Sequence, residues 1–128
     1  FGRTTAVMVT GAERTSIWPL VQNVAERFRL TIQPDARPEA GLYFRSDHFS
    51  FAKVGVPAFS IKMGSRFAGQ PAEYGSKKFE EYNSRHYHQP SDEYQESWDF
   101  SGMQEMARFG FAIGLDVANS EKLPARVQ

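Results

Sequence analysis

Three histidines, His48, His86 and His88, are the imidazoles this chain has for acid–base or metal chemistry. Two of them lie in Arg85-His86-Tyr87-His88-Gln89-Pro90-Ser91-Asp92. In extended chain, side chains at i and i+2 leave on the same side, and neutral imidazole is a good zinc donor. The same spacing fits two surface histidines on a polar loop, and spacing alone leaves both readings open. His88 is the better candidate, because the Gln89-Pro90 step that follows restricts the backbone and helps fix where the ring points. Asp92 suits a loop cap or an acceptor behind a metal ligand. The second constellation is Arg45-Ser46-Asp47-His48. It reads either as a polar wall that holds substrate or orients a ligand, or as Asp47 capping a helix while paired with Arg45. Residue types alone favour the cap. Glu80-Glu81 and Lys77-Lys78 read as ordinary surface. Gly-x-Gly-x-x-Gly, the phosphate-binding P-loop and the Gly-x-Ser-x-Gly elbow are all absent from the sequence.

The elements that must carry these residues follow from periodicity. Residues 5–10 form a continuous β-favouring run ending at Gly11, which predicts a strand covered on both faces. Ile17, Leu20, Val21, Val24 and Phe28 have helical spacing, with Thr15 or Ser16 as the expected cap and Pro19 in the first turn. A short strand is expected at residues 30–32, a turn-rich connection at 34–38, and a short helix at 48–54 opened by Asp47 and stopped by Gly55. Residues 56–61 read as another strand, with Pro57 tolerated at its start. Residues 62–97 show no sustained period. Their aromatics, Phe67, Tyr74, Phe79, Tyr82, Tyr87 and Tyr94, favour an ordered functional loop. Asp99 is the expected cap of a last helix over residues 100–117. Its stripe Phe100, Met103, Ala107, Phe111 and Leu115, widened by Met106, Phe109 and Ile113, predicts a well-buried element. Met103 and Met106 read as core fillers, and residues 120–128 as a frayed tail.

Composition sets the outer limits. A chain of 128 residues holds one domain with one core. Fifteen basic and fifteen acidic residues cancel, which argues against a mainly electrostatic nucleic-acid binder. With no cysteine, disulfides, thiolate nucleophiles and cysteine-ligated zinc are excluded. No run approaches the roughly 18 apolar residues of a membrane span. Strands alternating with helices indicate α/β layers. Two or three strands are few against the usual sheet of about 5–6, so the chain reads as part of a larger sheet. It also lacks an initiator Met, which suggests a piece processed or cut from something longer.

Taken together, Arg45-Ser46-Asp47-His48-Phe49-x-Phe51-x-x-x-Gly55-Val56-Pro57-Ala58 and Tyr87-His88-Gln89-Pro90-Ser91-Asp92 resemble the C-terminal half of the co-catalytic zinc aminopeptidase family. That family includes bacterial leucyl-type aminopeptidases and the related carboxypeptidases and glutaminyl cyclases. The resemblance implies a three-layer α/β/α sandwich around a mixed, mostly parallel sheet, incomplete in this chain. It implies two zinc ions in the complete domain and metal-assisted hydrolysis of N-terminal residues from peptides. Carried over by position, His88 matches the last metal ligand, and Tyr87 a tyrosine whose hydroxyl stabilises the oxyanion. Arg45, Asp47 and His48 match a segment lining the substrate pocket. His86 receives no role. The family's other ligands and its general base come earlier in its chain than any residue here. Residues 1–119 are therefore expected to be the C-terminal part of a peptidase domain, inactive and poor in zinc binding alone. The alternatives are a glutaminyl cyclase-like zinc acyltransferase and a non-catalytic binding or dimerisation module of the same fold. The expected partner is a peptide substrate, with neither nucleic acid nor membrane, and an open sheet edge could drive self-association. Relatives are commonly exported, which points to a periplasmic or secreted protein.

Overall fold

The computed structural model describes residues 1–35 and 38–127. The central strand, β1 (Ala6–Met8), forms from the apolar run expected to be covered on both faces, and Ala6 and Val7 are fully buried. β2 (Thr31–Ile32) pairs parallel to one edge of β1, and β3 (Lys62–Met63) antiparallel to the other, giving the order β2-β1-β3. The sheet is mixed and open, and the chain is an α/β protein of the expected kind.

On one face of the sheet lie α1 (Trp18–Arg27) and α4 (Ser101–Ala118). Val7 and Val9, two residues apart and so on the same side, meet Val21 and Val24 of α1 and Phe109 and Ile113 of α4 in the main core. Burying side chains of this size stabilises by about 1.5–3 kcal/mol each. Arg27 and Asp116 pair at 2.7 Å between the two helices. On the opposite side of β1, Ala6 faces Gly64, where an added Cβ would come within 2.6 Å of the Ala6 Cβ. Gln33 reaches from the end of β2 to the end of β3, its Oε1 accepting the Ser65 N–H at 2.8 Å. A polar side chain crosses above small residues there.

Several expectations need correction. The cap of α1 is Ile17, because Thr15 Oγ1 donates to the Ala12 carbonyl and Ser16 Oγ accepts the Ala125 N–H. Pro19 does sit in the first turn. The strand expected at residues 56–61 is displaced to β3. The β1–β3 register pairs Val7 with Met63 and Met8 with Lys62, and the Ser60 N–H still reaches the Thr10 carbonyl. Continued, that register would set residues 56–58 against the turn at Ala12–Arg14, which has no ladder to offer. Residues 62–97 are not one long loop: they contain α3 (Tyr74–Arg85). On α4, Phe100 takes the cap position, and the Asp99 carboxylate accepts the Ser101 N–H. The tail is docked rather than frayed. Ala125 and Val127 bond to Ser16 and Arg14, and Arg126 donates to the Ala52 carbonyl at the end of α2 (His48–Lys53). These partners satisfy backbone groups that fraying would leave to water. Ala36 and Arg37, inside the turn-rich connection, and Gln128 lie outside the described residues.

Candidate functional site

The two constellations are built on different parts of the fold. The first belongs to the C-terminal end of β1, where ligands of α/β proteins commonly bind. Gly41, at φ 63°, turns the chain into the helical turn Leu42–Arg45, and Tyr43 then packs over Gly11. A Cβ on Gly11 would overlap the Tyr43 ring, so this close approach requires glycine. The Arg14 guanidinium lies 4.9 Å from the Tyr43 ring centre. Tyr43, Phe44, His48 and Phe49 form an edge-on aromatic knot with centroids 5.1 to 5.5 Å apart.

Within that knot Arg45 and Asp47 are exposed, and Asp47 precedes α2 without making a side-chain cap bond. The described residues hold no Arg45–Asp47 ion pair either, so the simple cap-and-pair reading is not what forms. His48 is half-buried, and both its ring nitrogens are shut from water without a hydrogen-bond partner. Burial, and secondarily the positive charge of Lys62, lower its pKa against an opposing effect of Asp47. The ring is therefore neutral at neutral pH.

The second constellation follows α3. That helix has a narrow inner stripe of Tyr74, Gly75, Lys78, Phe79 and Tyr82, pressed against Phe67 and Phe1. Phe67 bridges Thr4, just ahead of β1, so this group is anchored at the other end of the central strand. The Tyr82 carbonyl accepts both the His86 and the Tyr87 N–H at 2.9 Å. Its phenol donates to Asp92 Oδ2 at 2.8 Å, and this bond holds the phenol above its usual pKa. His86 Nδ1 lies 3.2 Å from the Ser91 carbonyl oxygen, which ties that ring into the loop. Tyr87 and His88 are exposed and stacked with centroids 3.8 Å apart. His88 has φ 61°, a left-handed conformation that costs a non-glycine residue roughly 1–2 kcal/mol. Such backbones collect at functional sites.

No hydrogen bond, ion pair or ring contact among the described residues joins Arg45, Asp47 or His48 to Tyr87 or His88. A groove of about 460 Å³ lies among Phe1, Arg3, Tyr74, Lys78, Trp98 and Asp99, away from all five. The described residues include no group of three or more His, Asp or Glu placed to share a metal ion. A catalytic zinc needs about three protein ligands. His88 offers one fitting donor, and the described residues do not by themselves complete a zinc site. Glu80 and Glu81 are surface residues of α3 as expected, Glu81 pairing with Lys78 and Arg85. Sequence reasoning missed Tyr82 as the residue organising this loop. The signal was its place on the last turn before His86, visible only once residues 74–85 are read as helix.

Residues 2–113 match the sequence profile of peptidase family M28. No curated protein and no solved structure matches the chain.

Proposed function

The chain belongs to peptidase family M28, a family of zinc-dependent metallopeptidases, and on that premise we propose that it is the C-terminal segment of an exopeptidase removing N-terminal residues from peptides. The observation that carries the reading is the Tyr87–His88 step inside the matched region, exposed, with an imidazole that no bond within the described chain engages. His88 would be one ligand of the metal, the other donors lying outside the described residues, and a zinc ion held there would supply a water of lowered pKa and a polarised scissile carbonyl. The Tyr87 phenol donates a hydrogen bond to charge developing on that carbonyl oxygen. Arg45, Asp47 and His48 line the substrate side, an assignment supported by the resemblance and by their place beyond the C-terminal end of β1. One donor does not hold a catalytic zinc, so the chain alone is inactive. The same reading favours an exported protein.

The test is hydrolysis of a chromogenic amino-acid anilide by the polypeptide that contains this chain. Hydrolysis should stop with a chelator and return with zinc. His88→Ala should abolish it, and Tyr87→Phe should lower kcat by about 10²–10³. Arg45→Ala should raise KM more than it lowers kcat. Activity that ignores the chelator, or survives His88→Ala, overturns the reading. Release of a cyclised N-terminal glutamine instead of a free amino acid would move the assignment to acyl transfer.

A further inference from the structure

His88 has an uncommon backbone conformation and no bond of its own to hold it, so its neighbours must. The ties that anchor this loop to the rest of the fold converge on the last turn of α3. The Tyr82 phenol reaches ten residues ahead to Asp92, its carbonyl takes the His86 and Tyr87 N–H groups, and its ring lies against the rings of both. The far side of the loop closes through Gln89 N–H to the His86 carbonyl, Asp92 N–H to the Gln89 carbonyl, and Ser91 Oγ to the Arg85 carbonyl. Of these ties, the Tyr82–Asp92 bond spans the longest stretch and carries a charged acceptor, which makes it stronger than a neutral pair.

We propose that Tyr82 and Asp92 form a clamp that sets the backbone of the Tyr87–His88 step, and so are positioning residues for the proposed site. The role in catalysis rests on the peptidase reading; the clamp itself does not. A left-handed non-glycine residue persists only where its surroundings over-determine it. With the clamp open, residues 83–91 stay tied to α3 through backbone bonds and the Ser91 hydroxyl, and His88 relaxes to ordinary backbone. An imidazole on relaxed backbone points in many directions, and a ligand must point in one.

The experiment is amide hydrogen exchange and backbone NMR on the chain itself, without metal or substrate. Tyr82→Phe and Asp92→Ala should each lower protection at His86 and Tyr87 by about three- to tenfold. Each should also move the His88 Cα shift away from its left-handed value. Asp92→Asn, which keeps an acceptor for the phenol, should retain most of both signals. The double variant should be no worse than either single, because both remove the same bond. Amides in the middle of α3 should not change. If Tyr82→Phe fails to fold, Asp92→Ala on the exposed loop decides alone. An unchanged His88 shift, or losses that simply add in the double variant, overturns the clamp. Anilide hydrolysis is read separately: its absence with the clamp intact sinks the peptidase reading, and its persistence at full rate in Tyr82→Phe sinks the positioning role.

Discussion

A histidine whose ring nitrogens are shut from water with nothing to bond is costly to charge. His48 is in that position, beside Tyr43 and under the influence of Lys62. Its folded pKa lies below the unfolded value of 6.5. Above 6.5 the ring is neutral in both states and His48 takes nothing from stability. As pH falls below that, the unfolded chain takes up the proton first, and stability drops until the folded pKa is passed. Urea midpoints measured from pH 7.5 to 4.5 should therefore decline, and His48→Leu should flatten this part of the curve. An identical decline in the variant would show that other groups cause it. At this scale the sequence was informative about residue type and poor about partners. The Gln89-Pro90 step favours His88 over His86 as a ligand, but it says nothing of what either ring meets: His88 is exposed, and His86 lies against the Ser91 carbonyl. That Asp47 makes no cap bond was not legible, because capping depends on a backbone angle that residue type does not set.

Among the elements, α1 and β1 were readable because their apolar residues repeat with a clear period and are buried. The helix α3 was not, because its inner stripe uses Gly75 and Lys78 where a pattern search expects apolar residues. Gly75 has a packing reason: a Cβ there would press on the Ser65 carbonyl and the Phe67 ring. Gly114 of α4 has open space around the same position. Gly75→Ala should accordingly destabilise the chain by about 2 kcal/mol. Gly114→Ala should stabilise it by roughly 0.5–1 kcal/mol through helix propensity. Thermal or urea unfolding of the two variants checks the pair, and equal effects would mean that α3 does not lie where the structure puts it. The helix α4 was found at the expected place but turned. Phe109 and Ile113, expected only to widen its stripe, are its buried large side chains. Met103 and Phe111, expected at the heart of the core, are 59% and 71% exposed. The apolar pattern covers so much of the helix that it does not say which side faces β1.

For the molecule as a whole, that turn leaves Trp98, Phe100, Met103, Phe111 and Leu115 as exposed apolar side chains, beside a sheet that among the described residues has three strands and two open edges. Surfaces of this kind associate. Light scattering should show a mass that rises with concentration, and Phe111→Lys should lower it without weakening the fold. A monomer at every concentration would count against this. Fold class was legible because strand and helix runs alternate along the chain. The tail was not, because its contacts reach far in sequence, to Arg14 and Ser16 more than a hundred residues away and from Arg126 to the Ala52 carbonyl, and two of them are backbone bonds that leave no mark on residue choice. Those contacts bear on how the protein is handled. Val127 is stitched to Arg14, and at the opposite terminus the Phe1 ring sits 5.2 Å from that of Phe79. A purification tag or fluorophore placed directly beside Phe1 or Val127 would thus load a seam of the structure. Gly114, exposed on α4 with nothing near its Cβ position and ordinary helical backbone, is the safer place to carry a label.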